Sequence, residues 1–316
     1  VVINLVLLTA GFLALIKGAD VLVDSAVLIS RRSGLSELLI GLTIVAFGTS
    51  LPELAVSISA ALKDSGIAVG NVLGSNVANI ALVLGIGSLI LPVKVSRASI
   101  IYEIPFVLFS SVVVSMLLLL RGSALTRFDG AILLCLFVIF LAYAGKMAIG
   151  DYSKNSFNTT HDSGISSHGL AKPFLLTIMG IAGVVIGSEL VVRSGTSVAL
   201  FFGVSETLVG LTVVAIGTSL PELVTTIAAG LKKSGALAFG NLLGSNIMNL
   251  LLVLGLASIV SPIVADRSVL FEIIFMIGSV LLLIPLCLKD RQFGRVSGFL
   301  LLFVYIAFVF TTIVSG

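Results

Sequence analysis

Apolar residues in this chain fall into long blocks broken by short polar stretches, not into alternating or single-faced patterns. Ten blocks can be drawn, at residues 2–29, 36–62, 67–91, 99–120, 127–148, 171–197, 205–231, 236–260, 268–288 and 296–314. Each is close to the ~20 apolar residues that a helix needs to cross the hydrocarbon core. The pattern therefore predicts an all-α polytopic membrane protein with ten transmembrane helices. Most connections are short. The exception is Gly150–Gly169, which is polar and rich in Ser, Asn and Gly, and which reads as a loop between five spans and five spans.

Composition agrees. Of 316 residues, 58% are apolar and 10% charged, against about 25% charged in a soluble domain. The net charge of +3 is carried by basic residues scattered between apolar blocks, which argues against nucleic-acid binding. With the N-terminus outside, the inner loops hold twelve lysines and arginines and the outer loops five. The positive-inside rule thus predicts N- and C-termini outside and a cytoplasmic central loop in a multi-pass cell-membrane protein. No basic stretch and small-residue cleavage site opens the chain, so residues 1–30 read as a span and not as a signal peptide. Cys135 and Cys287 lie far apart in apolar blocks and are expected to be buried free thiols.

The two halves repeat each other. Ser36–Lys63 aligns with Ser205–Lys232 at an offset of 169, and Gly70–Asn79 with Gly240–Asn249 at an offset of 170. Residues 1–149 read as the first five-helix repeat, 150–169 as a cytoplasmic linker and 170–316 as the second repeat. Five is odd, so the second copy enters the membrane inverted. Inverted repeats place substrate near the midplane.

Two motifs carry the chemistry. GTSLPE runs from Gly48 to Glu53 and again from Gly217 to Glu222. Proline removes a backbone donor, so Pro52 should free a carbonyl near Gly48 and Pro221 one near Gly217. Thr49, Ser50 and Glu53 can then turn to one centre, as can Thr218, Ser219 and Glu222. The second motif puts Ser75 with Asn79, and Ser245 with Asn249, four apart on one helix face. Carboxylates, hydroxyls, amides and carbonyls are hard oxygen ligands suited to Na+ and Ca2+. A carboxylate at mid-membrane costs about 3 kcal/mol or more, so Glu53 and Glu222 are read as ligands. Glycines at 70, 74, 240 and 244 read as close helix packing. Glu37 and Glu206 suit helix N-termini. Lys17 with Asp20, and Glu189 with Arg193, read as local pairs. His161 and His168 read as solvated loop residues.

At these residues the chain strongly resembles the sodium/calcium exchanger family, whose signature is the doubled GTSLPE and GNxLGSN pair. The resemblance covers all ten spans. It implies Na+-driven Ca2+ transport by alternating access, with Glu53, Glu222, Thr49, Thr218, Ser50, Ser219, Ser75 and Ser245 lining the ion sites. It further implies ligation by the carbonyls of Ala46 and Ala215, with Asn79 in its usual place. The position of Asn249 is Asp in some prokaryotic and potassium-dependent members; here it is Asn, as in members that do not need K+. The resemblance also implies that spans one and six slide across the other eight.

These readings make the chain a secondary antiporter, electrogenic at three Na+ per Ca2+ and independent of K+. Na+ and Ca2+ are its cargo and the bilayer its surroundings, with no cofactor, nucleic acid or protein partner implied. The alternative is a Ca2+/H+ antiporter using the same glutamates. An intramembrane hydrolase lacks support, since neither HExxH nor GxSxG occurs, and broken helices in inverted repeats favour a carrier over a channel.

Overall fold

A computed structural model describes residues 2–63, 67–158, 169–203, 215–265, 269–288 and 291–315. Nearly all of them are helical. In chain order the helices are α1 (Val2–Ser33), α2a (Glu37–Thr49) and α2b (Leu51–Leu62), α3 (Ile67–Ile90), α4 (Ser99–Leu120) and α5 (Arg127–Asn158). The second half holds α6 (Ala171–Phe201), α7a (Ala215–Thr218) and α7b (Leu220–Leu231), α8 (Gly235–Val260), α9 (Leu270–Leu288) and α10 (Arg295–Ser315). Among the described residues, eight of these are long and apolar enough to cross a membrane, and the α2a–α2b pair, bent by 45°, makes a ninth. The seventh predicted span is described only from Ala215, as two short helices, and its first residues, with Glu206, lie outside the described residues.

Burial is arranged for lipid outside and polar groups within. Phe128, Phe299, Phe303 and Phe310 stay largely exposed, while Thr49, Glu53, Asn79, Glu222 and Asn249 are buried. A multi-pass membrane protein follows directly. Glycines set the closest approaches. A Cβ at Gly18 of α1 would sit 2.6 Å from the Val184 nitrogen of α6, and one at Gly180 of α6 would sit 2.6 Å from the Leu22 nitrogen of α1. Gly11 likewise meets Val191, so α1 and α6 run antiparallel, backbone against backbone. Gly240 and Gly244 of α8 lie against the Leu38 and Leu42 carbonyls of α2a, which bears out the packing reading for both. Gly70 and Gly74 meet no described neighbour within 4 Å; the mirror positions of Leu38 and Leu42 are not described.

Two short antiparallel ladders tie the halves together. β1 (Val93–Lys94) pairs with β4 (Gln292–Phe293), and β2 (Ala124–Leu125) with β3 (Ile263–Val264). Matching elements recur in both halves, down to the extended residues Leu91 and Ser261 that end α3 and α8, each with φ −145° and ψ 139°.

Several sequence expectations change. Helix α5 continues past Gly150 to Asn158 because no glycine or proline interrupts it there, so the connection is shorter than expected; residues 159–168, with His161 and His168, lie outside the described residues. Asp20 does not pair with Lys17. Lys232, at the end of α7b, takes it at 3.4 Å and Asp24 at 2.8 Å, and donates to the Asp20 carbonyl. A lysine at a helix end reaches two carboxylates one turn apart on α1, which a residue on α1 itself does less well. Glu189 pairs with Arg193 as expected. Ser36 caps α2a by accepting from the Leu39 nitrogen, with Glu37 in the first turn. Cys287 is buried but Cys135 is exposed, and both are free thiols.

The α1–α6 contact yields a stability prediction. Gly18→Ala forces a methyl against backbone and should lower the melting temperature in detergent by about 3–8 °C. Gly145→Ala, where no described atom lies within 4 Å of the added carbon, should leave it unchanged or slightly raised. A thermal-shift assay compares the two.

Candidate cation site

The same break is built twice. α2a ends at Thr49, Ser50 takes φ −84° and ψ 4°, and α2b starts at once with Pro52 in its first turn. Ser219 takes φ −89° and ψ 4° between α7a and α7b, with Pro221 in the same place. Proline suits a first turn, where its missing N–H would find no helical partner. The backbone donor is lost as the sequence predicts. The Gly217 carbonyl does not stay free, because the Ser188 hydroxyl of α6 donates to it at 3.0 Å. The Ala46 carbonyl accepts the Ser50 N–H at 3.0 Å and faces the Thr49 hydroxyl at 3.4 Å. Ala215 opens α7a. Each break leaves its glutamate in the first turn of a new helix, where the helix dipole favours negative charge.

Helices α3 and α8 bring the second motif inward. Both carry a π-helical turn, at Ala78–Val83 and at Met248–Val253, which contain Asn79 and Asn249. Such turns swell a helix by one residue and re-aim its side chains, often at functional sites. Asn76 and Asn246 instead donate back to the Val72 and Leu242 carbonyls of their own helices at 2.8 Å.

Four of the expected residues meet in one hydrogen-bonded chain. The Ser245 hydroxyl donates to Glu222 Oε1 at 3.2 Å, with Ser50 Oγ at 3.5 Å from the same oxygen. Thr49 Oγ1 lies 3.3 Å from Ser245 Oγ and donates to Asn241 Oδ1 at 3.1 Å. Glu53 and Glu222 are both fully buried. Ser75 is buried too.

Several of the other expected side chains carry unpaired oxygens. Both carboxylate oxygens of Glu53, the second oxygen of Glu222, the hydroxyls of Thr218 and Ser219, and the amides of Asn79 and Asn249 are buried without a hydrogen-bond partner. Buried polar groups are almost always paired, and each one left bare costs about 1–3 kcal/mol. Carboxylate, hydroxyl and amide oxygens are hard donors of the kind that suit Na+ and Ca2+.

Three contributors escaped the sequence reading. Asn241, which holds Thr49, sits four residues before Ser245 in a repeated motif, so helical spacing could have found it. Its counterpart Asn71 donates to Ser57 at 3.2 Å. Ser188 has no such signal, because the matching residue in the first half is Ala19.

The model of the family described as "sodium/calcium exchanger protein" matches residues 3–146 and 172–314. A sodium/calcium exchanger of Methanosarcina acetivorans, MaX1, is 34% identical, with 98% of each chain covered. The inner membrane protein YrbG of Escherichia coli is 39% identical over 81% of this chain and 79% of its own. Among solved structures, the sodium-calcium exchanger NCX_Mj soaked with 10 mM Na+ superposes with a TM-score of 0.81 at 31% identity, covering 97% of both chains.

Replacing one carboxylate tests the site. Glu53→Gln or Glu222→Gln keeps the shape and removes one of two negative charges. Cation-dependent Ca2+ flux in proteoliposomes should fall about 100-fold, the order expected when a buried charge loses its partner. Size-exclusion profiles should stay unchanged. Near-normal flux in either variant would remove that residue from the site.

Proposed function

The chain belongs to the sodium/calcium exchanger family, and on that premise we propose that it exchanges Na+ for Ca2+ across the membrane by alternating access, three Na+ for one Ca2+, without K+. The observation that carries the proposal is the charge of the site. Glu53 and Glu222 are buried together with Asn79 and Asn249, which are neutral. One Ca2+ balances two carboxylates. Two Na+ would do the same, yet the oxygen donors of the two repeated motifs, from Thr49, Ser50, Ser75, Thr218, Ser219, Ser245 and the carbonyls of Ala46 and Ala215, are more than two Na+ need. Three Na+ sharing the carboxylates leave one net positive charge on the loaded carrier. Aspartate in place of Asn249 would offset that charge and favour a further cation such as K+.

The same proposal takes the molecule as ten spans in two inverted repeats, with both termini outside. The strand ladders support it. β2 and β3 pair, so they lie on one side of the membrane, and an even number of crossings must separate them. α5, α6 and α8 supply three. A crossing by the segment that ends in α7b makes the number even, as the ten-span reading requires, with a broken seventh span to match α2. The antiparallel packing of α1 on α6 fits repeats related by inversion.

Two measurements bear on these points. Na+-driven 45Ca2+ uptake into proteoliposomes should change with clamped membrane potential and proceed in the absence of K+. Uptake indifferent to voltage would count against three-for-one exchange, an absolute need for K+ would overturn the role given to Asn249, and uptake abolished by a proton uncoupler would favour Ca2+/H+ exchange. For topology, a membrane-impermeant maleimide should label a cysteine at Ser123 from outside and one at His161 only from the cytoplasm. The reverse pattern would invert the orientation.

A further inference from the structure

Mirror positions in the two halves hold different hydrogen-bond partners, in a regular way. Asn71 of α3 donates to the buried hydroxyl of Ser57 in α2b at 3.2 Å. The mirror of that pair is Asn241 of α8 with Thr226 of α7b. Asn241 does not use Thr226. Its Oδ1 accepts from Thr49 across the site at 3.1 Å, while its own Nδ2 and the Thr226 hydroxyl are buried without partners. The mirror of Thr49 is Thr218, and its hydroxyl is also buried without a partner, while the Asn71 amide N–H is turned to Ser57.

Each asparagine therefore has two mirror-related partners, one inside its own half for its amide N–H and one across the site for its amide oxygen. Asn71 has taken the first and Asn241 the second. The choice bears on ion binding. A threonine that gives its proton to an amide oxygen turns its lone pairs elsewhere, and lone pairs are what a cation needs. Thr49 is so held and Thr218 is not. In a carrier built from inverted repeats, alternating access moves one part against the other around a fixed site, and an exchange of conformations between the halves is one way to reach the opposite-facing state.

We propose that Asn71 and Asn241 are positioning residues that exchange partners as the carrier changes the face it opens to: in the opposite state Asn71 holds Thr218 and Asn241 turns to Thr226. The half-site organised to receive cations changes with them. This deepens the exchange reading and rests on it.

The test removes the partner specific to each state, leaving the asparagines and the ion ligands untouched. Ser57→Ala deletes a bond made only in the present state, and the isosteric Thr226→Val one made only in the opposite state. The readout is the ratio of half-saturating Ca2+ concentrations at the two faces, from Na+-driven 45Ca2+ flux in right-side-out and inside-out vesicles. That ratio tracks the balance between the two states. The single variants should move it in opposite directions, each about fivefold, the size of one net hydrogen bond. The double variant should return to within about twofold of wild type. If folding suffers, Ser57→Cys and Thr226→Ala should give the same opposed shifts. A purely structural role would lower maximal flux in both and leave the ratio alone. Shifts of the same sign, no shift, or a double variant that fails to return would overturn the partner exchange while wild-type flux stands. Absence of Na+-driven flux in the wild type would overturn the exchange reading itself.

Discussion

Negative charge in the middle of a membrane has to be answered by something, and among the described residues no lysine or arginine forms an ion pair with Glu53 or Glu222. Much of the architecture can be followed from that constraint. The helix breaks at Ser50 and Ser219 set the acids at the start of new helices. The π-helical turns in α3 and α8 sit where Asn79 and Asn249 lie. The glycines of α8 let α2a approach backbone to backbone, which keeps lipid out of the region. On the exchange proposed above, the positive charge that completes the arrangement comes from the transported cations and not from a side chain.

Near-symmetry is as informative as symmetry. The backbone repeats closely, with matching breaks, strand ladders and π-helical turns in α3 and α8. The side chains do not repeat to the same degree. Glu222 accepts from Ser245, whereas both oxygens of Glu53 lack partners. Lys232 reaches Asp20 and Asp24 on α1, while among the described residues Lys63, its mirror, has no ion pair, because Arg193 stands where Asp24 has its counterpart and takes Glu189. Such differences are what two unequal faces of a transporter require.

Much of this was legible beforehand. Apolar block lengths placed the helices because a span must be about 20 residues long whatever its neighbours. The doubled motif named the acids and hydroxyls because carboxylates have few other reasons to sit there. What could not be read was set by packing across the halves. The bond from Ser188 to Gly217 has no repeated counterpart, and the reach of Lys232 to α1 depends on a helix more than two hundred residues away in sequence. The π-helical turns left no mark because their residues are ordinary helix formers. The exposure of Cys135 was missed because an apolar block does not say which of its faces meets lipid.

The strand ladders have a consequence for how the chain is made. β1 and β2 emerge in the first half, yet their partners lie at Gln292–Phe293 and Ile263–Val264. The glycine face of α1 likewise waits for α6. At the ~5–20 residues per second of ribosomal synthesis, the first half stands for roughly ten seconds or more with its strand edges and its closest helix contact unfilled. Insertion of spans and assembly of the bundle are thus separated in time, and the cell must shelter a half-built molecule from pairing with other copies until its own second half arrives.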